Sequence, residues 1–364
     1  MPSLFEKIYG CLAASNIASA MGAVVEGWET DQIVQKYGVF QQLLPYSHYK
    51  NFGRPGSGRL RPAGTTEDGI ERQRLMCTAI IEKRGRITAD DLAKVWLRDI
   101  NPDYFGVQME PCDEILYNLV KAGIPPADAG RYSNFLGIVS FARSCHPIGL
   151  INACNPEQAV RDAWDVGRLY QPLHGYGLDW SAVYVAAIAE ALKQDATVDS
   201  VISKALEFAP APVRREIEEG LDMAARSKDV FAMREPFNKR YSGRGTTYAM
   251  SMAHEVVTKG FAIFYITKGM PKDAIVGAVN FGRDTDCTAA VASGLAGALN
   301  GVSGIPEEWI KTVDEATLVN EYTVSKRTLW ETAQGIYEAV KAEMKKAREW
   351  AEEIERGITS GESV

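Results

Sequence analysis

Long apolar runs are missing from this 364-residue chain. No window offers the eighteen or more apolar residues of a membrane span, and the N-terminus lacks a signal peptide's basic and apolar blocks. Histidine is scarce. His48, His146, His174 and His254 form no HExxH and no i,i+4 pair, which argues against zinc. His146, between Cys145 and Pro147, reads as a core or loop histidine rather than a catalyst. The six cysteines make no CxxC pair and sit mostly in apolar helical pattern, as buried thiols of a cytoplasmic protein do. There is no Walker A loop, no GxGxxG after a strand and no fixed-period repeat. A formal charge of −7 without a polybasic patch argues against nucleic-acid or membrane partners.

Strand signals are nearly absent too, because β-branched runs bounded by turns do not occur. What remains is helical periodicity. Leu4 to about Gly22 is apolar on most faces and is expected to be a core helix. Others are expected over Ile70–Lys83, from Thr88 to about Asp99, and over Cys112–Ala122, Pro156–Leu169, Trp180–Lys193, Val198–Phe208 and Val213–Ala225. Thr246–Lys268, Lys272–Asn280, Asp286–Leu299 and Ser325–Arg356 complete the set. The chain is therefore expected to be all-α, one domain over residues 1–356, with a frayed tail over 357–364. Lys341–Arg356 reads as a solvated terminal helix with i,i+4 ion pairs, partner docking being the less favoured reading.

Against this background two acidic clusters stand out. Gly282-Arg283-Asp284-Thr285-Asp286 places two carboxylates at a glycine turn, just before a helix of alanines and glycines. Small residues let neighbours approach closely, so that helix suits a central position, and anionic groups are favoured at its N-terminal end. Taken alone, one Asp is an N-cap and the other decorates a turn. Gly64-Thr65-Thr66-Glu67-Asp68-Gly69 repeats the arrangement before Ile70. Unpaired, the four carboxylates would repel one another, and hard dications such as Mg²⁺ want several oxygen ligands, so one or two ions are the natural counter-charge. Glu71 is placed to line the same cleft, and Arg72, four residues after Asp68, reads as a structural helix pair.

Two Gly-rich loops carry arginines. Asn51–Gly64 holds Arg54, Arg59 and Arg61, and Tyr241–Thr247 holds Arg244 beside Gly245. Backbone N–H groups and guanidinium donors there suit a phosphorylated or polyhydroxylated ligand, with plain surface loops the alternative. Tyr176, Trp180 and Tyr184 read as core, stacking on a base or sugar being the sharper option.

In order along the chain stand Gly10-Cys11-Leu12, Ala18–Gly22, Val25-Glu26, Thr66-Glu67-Asp68, Pro147-Ile148-Gly149-Leu150 with Asn155-Pro156-Glu157, Gly282–Cys287, Gly294–Gly301 and Ile305–Trp309. Together they resemble the ADP-ribosylglycohydrolase family, of the dinitrogenase-reductase-activating type, over roughly residues 5–310. The resemblance implies an all-α fold with a two-magnesium centre (Mn²⁺ being an alternative ion) at the bottom of a cleft, where water cleaves a ribosyl bond at C1. By position it implies Thr66, Glu67, Asp68, Asp284 and Asp286 as metal ligands and Glu26 as the mobile glutamate. Glu26, Glu67, Asp68 and Asp284 become the candidate catalytic groups, and Arg61, Gly64, Arg244, Gly245 and Arg283 the candidate substrate contacts.

The sequence also departs from that pattern. Glu67 lengthens one arm where an Asp is usual, Ser19 stands where many members carry an acid, and Leu169-Tyr170-Gln171 lacks an expected histidine. Cys287 replaces a metal-binding threonine with a poor Mg²⁺ ligand, and Thr288 points about 100° away round a helix. Arg283 replaces a glycine and is placed to bind phosphate or neutralise Asp284. The substrate is accordingly expected to be either an ADP-ribosylated molecule or a smaller ribosyl or furanosyl glycoside. A non-catalytic ligand-binding member and a metal-free carboxylate glycosidase are the rivals.

Overall fold

The computed structural model describes residues 1–47, 58–107, 109–133, 136–173, 176–241 and 250–361. Among them are eighteen α-helices and one antiparallel pair of two-residue strands, Tyr46–Ser47 with Leu60–Arg61. The chain is all-α, as its periodicity requires. His48, Arg54, His174, Arg244 and Gly245 lie outside the described residues.

Two helices form the axis of the core. Leu4–Gly22 is started by a capping box, in which the Ser3 hydroxyl accepts from the Glu6 amide and the Glu6 carboxylate accepts from the Ser3 amide. It is buried on nearly every face from Ile8 onward and packs along Thr285–Asn300. Contact is backbone to backbone: a Cβ on Gly297 would lie 2.1 Å from the Gly10 carbonyl oxygen, so no larger residue fits. By length and composition Leu4–Val25 could cross a membrane, which corrects the expectation that no window does so, but 89% of its most apolar window is buried in this fold. Burial of its leucine and isoleucines, at about 1.5–3 kcal/mol each, explains the apolar run without a bilayer.

The other helices wrap this pair. Pro271–Val279, Ala253–Ile266, Tyr176–Ala191 and the terminal helix Leu329–Gly361 supply most of the layer against it, and Asp68–Lys83 lies in the layer beyond. The Thr88 capping box starts Ala89–Asp99 as the sequence indicates. Helices Thr30–Tyr37, Pro126–Ala129, Ser140–Ser144, His146–Ile151, Arg234–Tyr241 and Glu307–Val319 were not expected. Most are too short to show a clear period, or are polar on most faces. Expected to end near Arg356 and fray, the terminal helix instead runs Leu329–Gly361.

Candidate active site

The acids meet because two helix starts are pinned to the end of the N-terminal helix. The Thr285 hydroxyl donates to the Gly22 carbonyl at 2.7 Å, and a Cβ on Gly22 would stand 2.6 Å from the Asp286 Cα. On the other side the Glu67 amide donates to the Ser19 hydroxyl at 3.4 Å. Ser19, where an acid was expected from the resemblance, thus holds the second acidic junction in place. Glu26 follows the short 3₁₀ turn Ala23–Val25 and enters the same cavity. Glu26, Asp68, Asp286, Cys287, Arg143 and Glu110 all line it. Its water-accessible volume is about 20 Å³, little more than one solvent molecule needs.

The two walls of the cavity differ. On the first, Asp284 caps Thr285–Asn300, its Oδ1 accepting from the Cys287 amide at 3.2 Å. Ligand atoms of Asp284, Asp286 and Cys287 lie within 4.8 Å of one another. Asp284 Oδ2, Asp286 Oδ1 and Thr288 Oγ1 are buried and make no hydrogen bond among the described residues. Burial, then the neighbouring carboxylates Asp284, Glu67 and Asp68, push the Asp286 carboxyl well above the ordinary range, against the pull of Arg143. Glu26 is raised well above its ordinary value too, by burial first and then by Asp286, Glu67, Asp284 and Asp68.

The second wall is dense with guanidinium groups. Arg61 donates to Glu67 Oε1 at 2.8 Å and to the Val107 carbonyl at 2.6 Å, and the Tyr46 hydroxyl donates to the same Glu67 oxygen. Arg72 pairs with Asp68 Oδ2 at 2.5 Å, the helix pair its spacing indicated, and also holds Asp113 at 2.7 Å. Arg143 spans the cavity, donating to Asp68 Oδ1 at 3.0 Å and to Asp286 Oδ2. Space for it comes from Gly69, where a Cβ would lie 2.1 Å from the Arg143 Cζ. Sequence reasoning missed Arg143 and Glu110. Glu110 has its carboxyl raised to about 7, by burial first and then by Asp68.

Of the expected substrate contacts, Arg61 sits 5% exposed against Glu67. Gly64 packs on Thr312, its φ of +86° requiring glycine. Arg283 is turned to Glu255 rather than to Asp284. It is buried and donates twice to Glu255, at 2.7 and 2.9 Å, with Lys259 on the same carboxylate. That pairing and the bond from its amide to the Trp28 carbonyl, 2.7 Å, hold it at a φ of 64°, a conformation that costs a side-chain-bearing residue about 1–2 kcal/mol. Arg61 and Arg283 thus each pair with a buried glutamate. Glu71 turns away to accept from Thr323 and Val324, and Thr66 is buried ahead of Glu67. His146 is a core histidine between Tyr184 and the Ala290 carbonyl.

The donor set on the first wall fits one hard dication: bare, buried carboxylate oxygens from Asp284 and Asp286 beside a residual negative charge. A second ion does not fit the Asp68 side as it stands, because Arg72 and Arg143 already occupy that carboxylate. Cys287, not Thr288, reaches the cavity, and burial pushes its thiol well up, so it adds no hard ligand.

Residues 1–346 match the family model for ADP-ribosylglycohydrolase. An uncharacterised protein of Archaeoglobus fulgidus is 24% identical over 327 residues, 87% of this chain and 94% of the relative. The ADP-ribosyl-[dinitrogen reductase] glycohydrolase of Rhodospirillum rubrum is 22% identical over 319 residues, 86% of this chain and 92% of the enzyme. A solved ADP-ribosylglycohydrolase-related protein complex shares the fold, with a TM-score of 0.64 at 18% identity, over 93% of this chain and all of that one. With the family model spanning nearly the whole fold and every acidic junction inside it, this chain belongs to the ADP-ribosylglycohydrolase family.

Proposed function

We propose that this chain is a hydrolase that cleaves the C1 bond of an ADP-ribosyl or related ribosyl or furanosyl glycoside with water, assisted by one Mg²⁺ or Mn²⁺. The observation that carries this reading is the meeting of Glu26, Asp68 and Asp286 around one cavity, with Asp284 at its edge. Asp284 and Asp286 would hold the ion. When bound, it supplies a Lewis acid that polarises the sugar hydroxyls and water.

The protein's own groups do the rest. Glu26, whose carboxyl burial and the surrounding acids push upward, would act as the acid that hands a proton to the leaving group. Asp68, held between Arg72 and Arg143, would face the developing oxocarbenium ion. Arg143 fixes the spacing between Asp68 and Asp286. The small volume between these groups requires Arg143 or Glu26 to shift when a sugar enters.

One observation favours a second reading. Arg143 already supplies a cation between two carboxylates, which suits a metal-free carboxylate glycosidase. A release assay decides, run on ADP-ribosyl-arginine, ADP-ribosyl-serine, nucleosides and nitrophenyl furanosides with Mg²⁺ or with excess EDTA. The proposal expects turnover of at least one substrate with Mg²⁺ and its loss in EDTA. Undiminished turnover in EDTA selects the second reading, and no turnover under either condition refutes both.

A further inference from the structure

The family model stops at residue 346, whereas the terminal helix continues to Gly361. Its first half is anchored in the core through Ala333, Ile336, Ala339 and Val340. Beyond that the helix overhangs. From Met344 to Ile358 every residue is exposed except Ala351, over a length of about 22 Å. The overhang continues a helix nucleated in the core and carries ion pairs of its own, Lys345–Glu349 and Arg356–Glu353, yet leaves an apolar face uncovered among the described residues.

The overhang carries the pattern of a pairing helix. Val340, Met344, Ala347, Ala351, Ile354 and Ile358 recur at alternating spacings of four and three, the seam of a coiled coil. Met344 is 46% exposed, Ile354 43%, Ile358 58%, and Trp350 beside the seam 69%. Charge along the helix is segregated. Lys341, Lys345, Lys346 and Arg348 outweigh Glu343 in the first part, and Glu349, Glu352, Glu353 and Glu355 outweigh Arg356 in the second, although Lys341 and Lys345 also pair within the helix, with Glu338 and Glu349. A parallel neighbour would set like charges together, whereas an antiparallel copy sets basic against acidic. Where the overhang leaves the body, Met344, Ala347 and Val340 form one side of a cleft of about 280 Å³. Ile151 and Ala153 line the other side.

We infer that the chain forms a two-fold homodimer in which the overhanging ends of two terminal helices pair antiparallel. Each tip lies along the cleft beside Met344 of the other copy. In this register Met344 faces Ile354 of the second copy, and Ala347 faces Ala351 of the second copy, allowing close approach. Lys341 meets Glu355 of the second copy, and Lys345 meets Glu352 of the second copy. The interface is isologous and closes at two copies. The inference is independent of the catalytic reading.

Sedimentation of the full-length protein across low to high micromolar concentrations tests it. Wild type is expected to sediment as a dimer that dissociates on dilution. Ile354→Lys, at an exposed position, is expected to leave a monomer with unchanged helical circular dichroism. Lys341→Glu with Lys345→Glu is expected to weaken the dimer at least about tenfold, and adding Glu352→Lys with Glu355→Lys to restore it. A wild type monomeric at every concentration, a dimer untouched by Ile354→Lys, or a fourfold variant that fails to regain the dimer would each overturn the proposal.

Discussion

The two walls of the cavity carry the same kind of side chain under opposite conditions. Glu67 and Asp68 face guanidinium groups at 2.5 to 3.0 Å. Among the described residues, Asp284 and Asp286 share a single guanidinium contact, through Arg143 to Asp286, and keep buried oxygens without a hydrogen bond. Burying a carboxylate is expensive unless it is paired, so the first arrangement is stable as it stands and the second is completed by a cation. The difference teaches where the proposed ion would sit: on the Asp284–Asp286 side, with the protein's own cations serving the other.

The most severe way to break this asymmetry is to remove the open oxygens. Asp284→Asn or Asp286→Asn is expected to lower turnover by more than about a hundredfold, beyond the usual effect of changing a ligand's supporting partner, with helical circular dichroism unchanged. Arg143→Ala comes next. It leaves Asp68 and Asp286 facing one another across a buried gap, at a cost of about 3–5 kcal/mol for a broken buried pair. Thermal unfolding should show that loss, and Mn²⁺ should recover more stability in the variant than in wild type, because a dication can then serve both walls.

A smaller effect follows from protonation. Asp286, one of the two acids that would hold the ion, lies well above the ordinary carboxylate range without a cation, so cation uptake on that carboxylate should release protons. Calorimetric heats of Mn²⁺ binding are then expected to vary with the ionisation enthalpy of the buffer, and identical heats in all buffers would contradict the assignment. The mildest prediction concerns Glu110, whose carboxyl stands at about 7 against an ordinary 4.5. In the folded chain it keeps its proton where the unfolded chain has lost it. The stability this confers is complete below about pH 4.5 and is lost as pH rises through 7. Glu110→Gln suffers no such loss, so its melting temperature relative to wild type should climb between acid and neutral pH.

Much of this could be read from the chain itself, for identifiable reasons. The long helices show their period, and the acids announce themselves by sitting beside glycines at helix starts, as Asp284 and Glu67 do. The compensating cations leave no comparable local mark. Arg143 lies in the five-residue helix Ser140–Ser144, too short to show a period, and its partners Asp68 and Asp286 are 75 and 143 positions away. Gly69, in the first turn of its helix, was the available clue, since the space it leaves is filled by that guanidinium. The partner of Arg283 is hidden for the same reason. Nothing near it in sequence reveals that Glu255, 28 residues earlier, would take its charge.

Mn²⁺ binding followed by electron paramagnetic resonance tests the central claim most directly. The account predicts one uncoupled ion per chain, weakened in Asp68→Asn and abolished in the Asp284→Asn, Asp286→Asn double variant. Two coupled ions in wild type, or full binding in the double variant, would contradict it.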